Sequence, residues 1–152
     1  MPMHLQRKNK AGLRWSNVGK VLLLFAAPFF ALAADVEISE IAWMGTSVST
    51  ADEWIELHNT TGSAISLEGW ILAAADGRPL ITLSGSIGAS GFFLLERADD
   101  DTVPGIAADL IYTWALENEG EVLELKDASG AVIDSIDASG KWPAGSNSTK
   151  ET

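Results

Sequence analysis

Reactive side chains gather at three points of this 152-residue chain. His58 sits near the end of the run "EWIELHN". It is the one histidine outside the first thirty-three residues, so any imidazole acid–base chemistry there would run through it. A Ser-His-Asp triad also needs a positioned nucleophile. Serines abound, but no "GxSxG" turn or comparable setting is present, and the plainer reading of His58 is a solvated strand residue. Carboxylates are plentiful: Glu53 and Glu56 flank Ile55, and Glu117, Glu119 and Glu121 straddle "NEG". A glycosidase needs two of them across a cleft, which a small one-domain β body rarely offers. Asp99, Asp100 and Asp101 in "ADDDT" are the best metal candidates, because Ca²⁺ accepts six to eight oxygens in flexible geometry. Their spacing departs from an EF-hand loop, so the plainer reading is a solvated acidic loop. "SGSIGASG" is glycine-rich, but neither a helical pattern nor Lys-Ser/Thr follows it, which removes a phosphate cradle. There is no cysteine, so thiol catalysis, disulfides and cysteine-ligated zinc are excluded. The expectation is a non-enzyme without a cofactor, with Ca²⁺ at Asp99–Asp101 as the one metal to consider.

The elements that would position these residues read as short strands between turn signals. "VEISEIAW" is apolar at Val36 and Ile38, then at Ile41 and Trp43; the slip in phase predicts a bulge or a strand covered on both faces. "EWIELHN" alternates, with Ile55 and Leu57 on one face and Trp54, Glu56 and His58 on the other. Strand material follows in "WILA", "PLITL", "FFLLER" and "LIYTWAL". The clearest hairpin is "EVLELKDASGAVIDSID", where Gly130 can take the positive φ of the turn and Leu123 and Leu125 point to a core. No apolar period of 3.6 residues is sustained past Ala33. Many short strands with turns between them indicate an all-β sandwich or barrel. Trp43 and Trp70 are expected in its core. Trp54, out of phase with Ile55 and Leu57, is expected on the other face, either under a loop or exposed as a ligand contact together with His58. "GKWPAG" is expected to close a sheet edge with Trp142.

Residues 1–33 differ in kind. Arg7, Lys8, Lys10, Arg14 and Lys20 precede the uncharged run "VLLLFAAPFFALA", which ends in Ala31-Leu32-Ala33. Basic, apolar, then small-x-small is the order of a secretory signal peptide, with cleavage expected after Ala33. The alternative is an uncleaved anchor, the only expected membrane contact, but so short an apolar helix reaches roughly 20 Å against a ~30 Å hydrocarbon core. Export to the periplasm, cell surface or medium is therefore expected. Loss of this segment leaves five basic residues against twenty-one acidic ones, a net charge of −16. Nucleic-acid binding draws on cations that displace phosphate counterions, so so acidic a surface argues against it.

The ordered motifs "VEISEIAWMGTS…DEWIELHN", "SLEGWIL", "ITLSGSIGASGFFLLER", "AADLIYTWALENEGEVLELKD" and "GAVIDSID…WPAG" closely resemble the lamin-tail domain, in the form found in exported bacterial proteins. The resemblance covers about residues 35–147. It implies an immunoglobulin-like β-sandwich over 34–152. It also implies a non-catalytic module that tethers or positions an unidentified protein or cell-surface partner at the envelope or outside the cell. Nuclear lamins carry the domain after a coiled-coil rod that this sequence lacks, which argues against a role in a nuclear lamina. The family pattern also runs on past "WPAG" into a final strand, and the sequence is expected to lack it. Two other functions are compatible with the resemblance: a carbohydrate-binding module that stacks sugars on Trp54, and an accessory domain for nucleic acid beside a nuclease.

Overall fold

The computed structural model describes residues 34–150, so the expected leader lies outside the described residues. Every regular element among them is a strand: β1 Val36–Ala42, β2 Trp54–Asn59, β3 Ile65–Ser66, β4 Ile71–Ala74, β5 Leu80–Thr82, β6 Ser86–Ile87, β7 Phe92–Arg97, β8 Leu110–Tyr112, β9 Val122–Lys126 and β10 Val132–Asp137. One sheet runs β1-β2-β7-β8, the other β10-β9-β4-β5, and β3 pairs with β6 in a small third ribbon. The two large sheets enclose one core, the immunoglobulin-like sandwich expected from the turn-punctuated strands.

Alternation explains which side chains meet. Val36, Ile38, Ile55, Leu57 and Leu95 from the first sheet are buried against Leu72, Leu123 and Leu125 from the second. The slip in β1 is a bulge: register is broken between Ile38 and Glu40, so Ile38 faces Leu57 and Ile41 faces Ile55. The β9–β10 turn is held by one side chain. Asp127 Oδ1 accepts hydrogen bonds from the backbone N–H groups of Ser129 and Ala131 and from the Ser129 hydroxyl, and Gly130 takes φ 86°. The Ser129 hydroxyl first, with the Ala131 amide, holds the Asp127 carboxyl below its ordinary range.

Three local expectations change. Trp70 is only half-buried and packs against the margin of the core, because the Gly69 bend (φ 74°) brings it in before β4 begins at Ile71. Trp142 does more than close an edge: it is buried and stacks on Trp43, with ring centroids 6.0 Å apart and planes 9° from parallel. "LIYTWAL" is strand only through Tyr112; β8 pairs with β7 in parallel. A parallel neighbour needs a connection of about a dozen residues, and the acidic stretch Ala98–Asp109 supplies it.

Candidate functional site

The outer face of the first sheet holds the two residues expected to touch a ligand. Trp54, Glu56 and His58 alternate with buried Ile55 and Leu57, and all three are half-buried. His58 already has partners. Its Nδ1 lies 3.1 Å from Glu37 Oε1 across the β1–β2 pair, and its ring stacks on Phe92 at 4.6 Å between centroids. Among the described residues no serine hydroxyl hydrogen-bonds to it, so no triad is assembled. Glu56 accepts a hydrogen bond from the Ser39 hydroxyl at 2.8 Å. Glu53 points elsewhere, so the two do not face each other across a cleft.

Glu53 and Glu96 are buried carboxylates with structural work. Glu53 accepts from Arg97 Nη1 at 2.9 Å and from the Leu116 amide at 2.8 Å. Burial raises its pKa; the Leu116 amide and the Arg97 guanidinium oppose the rise. Glu96, with no exposed surface, accepts from the Thr102 and Val103 amides at 3.1 and 2.8 Å. It thereby anchors the connection that brings β8 alongside β7. Asn59 does the same for the other end of the sandwich: its Nδ2 donates to the carbonyls of Ser63, Ile87 and Gly88, and its Oδ1 accepts from Thr61. Sequence reasoning passed over Glu96 and Asn59. The available signal was a polar residue ending an apolar strand immediately before a long or Gly-rich loop.

The three adjacent aspartates do not converge. Asp100 Oδ1 is committed to the Ala108 amide at 2.7 Å. The neighbouring Asp99 carboxyl, which favours the protonated form of Asp101, raises the pKa of Asp101. Among the described residues no three His, Cys, Asp or Glu side chains come together in a way that would hold a metal ion. The acidic loop is instead the tether between β7 and β8.

The feature with the geometry of a binding site lies where the two sheets end. β5 closes one sheet and β8 the other, and neither has a strand on its outer side. Between them runs a groove of about 260 Å³, walled by both strands and continued by Thr113 and Trp114. Leu80, Ile111 and Trp114, three of the large apolar side chains the fold leaves exposed, all line it. Arg78 lies over one face of the Trp114 indole, 4.3 Å from the ring centroid, and holds that ring in place. The Tyr112 hydroxyl is buried without a partner, and burial strongly raises its pKa. The groove therefore offers apolar contacts between the outer edges of two strands.

A family model described as Lamin Tail Domain matches residues 31–140. No curated protein matches the chain.

Proposed function

This chain belongs to the lamin tail domain family, and from that premise we propose a non-catalytic binding module that tethers or positions a protein partner at the cell envelope or outside the cell. An extended segment of the partner docks in the groove between β5 and β8. The observation that carries this reading is the convergence of Leu80, Ile111 and Trp114 on a groove bordered by two unpaired strand edges. An edge strand can pair with an incoming strand through its backbone, while alternate side chains of that strand fill apolar contacts. Because the edge is pre-formed, the domain itself has little to order on association.

Basic side chains are poorly placed for the nucleic-acid alternative. Arg97 is paired with Glu53, Lys126 with Glu124, and Arg78 lies on Trp114. The carbohydrate alternative rests on Trp54, which is half-buried beside Glu56 rather than presented as a free ring.

The reading is tested by quantitative capture from an envelope fraction with the wild-type domain, a Leu80→Ser/Ile111→Ser variant and a Trp54→Ala variant. A partner enriched by the wild type and by Trp54→Ala, but reduced at least tenfold by the double variant, is the expected result. Loss with Trp54→Ala and retention with the double variant would move the site to the outer face and to the carbohydrate reading.

A further inference from the structure

A second cleft, of about 210 Å³, lies between the β4–β5 turn and the turn that leads into β9, lined by Asp76, Glu117, Gly120 and Glu121 among others. Glu121 is 5% exposed, and neither of its carboxylate oxygens makes a well-formed hydrogen bond; the Glu117 backbone amide is the one donor near enough to oppose the rise in its pKa. Leaving a buried charged group without a partner is costly, and the other buried glutamates of this domain, Glu53 and Glu96, are hydrogen-bonded.

The backbone gives Glu121 little room to escape. The Ala138 amide donates to the Glu121 carbonyl at 2.9 Å, and the Ala75 amide donates to the carbonyl of the next residue, Val122, also at 2.9 Å. Gly120 is at φ 111°, and a Cβ there would come within 2.0 Å of the Ala138 carbonyl oxygen. The turn is thus pressed onto the 138–141 segment. The ionisable groups around the carboxylate are of its own sign: Asp76 from the β4–β5 turn, Glu117 from its own turn, and Glu53 from the lead-in to β2. The 138–141 segment contributes Lys141, whose side chain is exposed. Burial first, and the repulsion of Asp76 next, push the Glu121 carboxyl up to about 7.

We propose that this cleft is a receptor for an organic cation, the ammonium or guanidinium of a basic side chain carried by the partner, with Glu121 as the acceptor and Asp76 and Glu117 in its lining. A polyatomic cation fits better than a metal ion, because these carboxylates do not form a metal-holding group. A guanidinium presents several donors that can reach separate acceptors, and an ammonium presents three. Burial of Glu121 makes the site selective for a ligand that brings its own hydrogen atoms. The identification of the cation's source rests on the binding-module reading; the site itself does not.

The test titrates the domain with Nα-acetyl-arginine methylamide, Nα-acetyl-lysine methylamide and, separately, Ca²⁺, following the side-chain carboxyl ¹³C signal of Glu121 through pH 5–9. At saturating arginine or lysine derivative the Glu121 midpoint falls by at least one unit, and binding tightens about five- to tenfold from pH 6 to pH 8. Glu121→Gln, which keeps the side-chain volume, weakens binding at least tenfold, and Asp76→Asn about threefold. The Leu80→Ser/Ile111→Ser variant binds the derivatives as the wild type does, which separates failure of this site from failure of the groove. A midpoint unmoved by either derivative, unchanged binding in Glu121→Gln, or a midpoint lowered by Ca²⁺ alone would overturn the proposal.

Discussion

The two flanks of the sandwich differ in how they end. On one, β1 packs against β10, the Ile38 amide donates to Asp134 Oδ2 at 2.8 Å, and Trp43 and Trp142 stack across the gap. Both indole N–H groups there are used, Trp43 to the Ala144 carbonyl at 3.0 Å and Trp142 to the Glu117 carbonyl at 2.7 Å. On the other flank, β5 and β8 stand apart with a groove between them. Its indole, Trp114, is 44% exposed, and Leu80 is 58% exposed. The same fold thus uses tryptophan in two ways. Where a ring meets another ring and a carbonyl, it seals the sandwich; where it meets only a guanidinium, it leaves a surface.

Substitutions should separate the flanks by the kind of effect they have. Trp43→Ala removes the stack and opens a cavity in the sealed flank, and about 3–5 kcal/mol of stability should be lost in denaturant unfolding. Glu96→Ala should lose roughly 2–3 kcal/mol, because two buried amides lose their acceptor. Hydrogen exchange should show that loss first in β8, with β1 and β2 still protected. Glu121 gives a pH effect. Its folded pKa is raised above the ordinary value, so its contribution is full below about pH 4.5 and fades as pH rises through about 7. Glu121 should therefore lower the stability of the wild type by about 2 kcal/mol between pH 5 and pH 8, and that part of the slope should be lost in Glu121→Gln. The smallest effect on stability is expected from Leu80→Ser/Ile111→Ser, under about 1 kcal/mol, since both side chains are already in water. A large destabilisation there would mean that the open flank is core after all.

The core was largely legible in the residues. Strict alternation marks Ile55, Leu57, Leu123 and Leu125 as inward, and the broken phase between Ile38 and Ile41 marks the bulge that the register shows. The Asp127–Gly130 turn was legible for the same local reason. What escaped depends on contacts distant in sequence. Trp142 is buried because Trp43 lies opposite, about a hundred positions earlier, and no local pattern encodes that pairing. The parallel course of β8 depends on Glu96 holding Thr102 and Val103, a buried polar interaction that periodicity cannot register. The candidate site escaped for a related reason. Trp54 and His58 drew attention by type and phase, whereas Leu80, Ile111 and Trp114 become a group only when the edges of two sheets are brought side by side.

Site-specific photo-crosslinking tests the open flank most directly. A benzophenone amino acid is placed in turn at Leu80, Ile111, Trp54 and, on the sealed flank, Ile136 of β10, and the full chain is irradiated in an extract of its source cells. A single partner crosslinked from positions 80 and 111, but not from 54 or 136, is the expected result. Crosslinks from Trp54 or Ile136 with none from the groove would contradict the assignment of the β5–β8 flank as the docking surface.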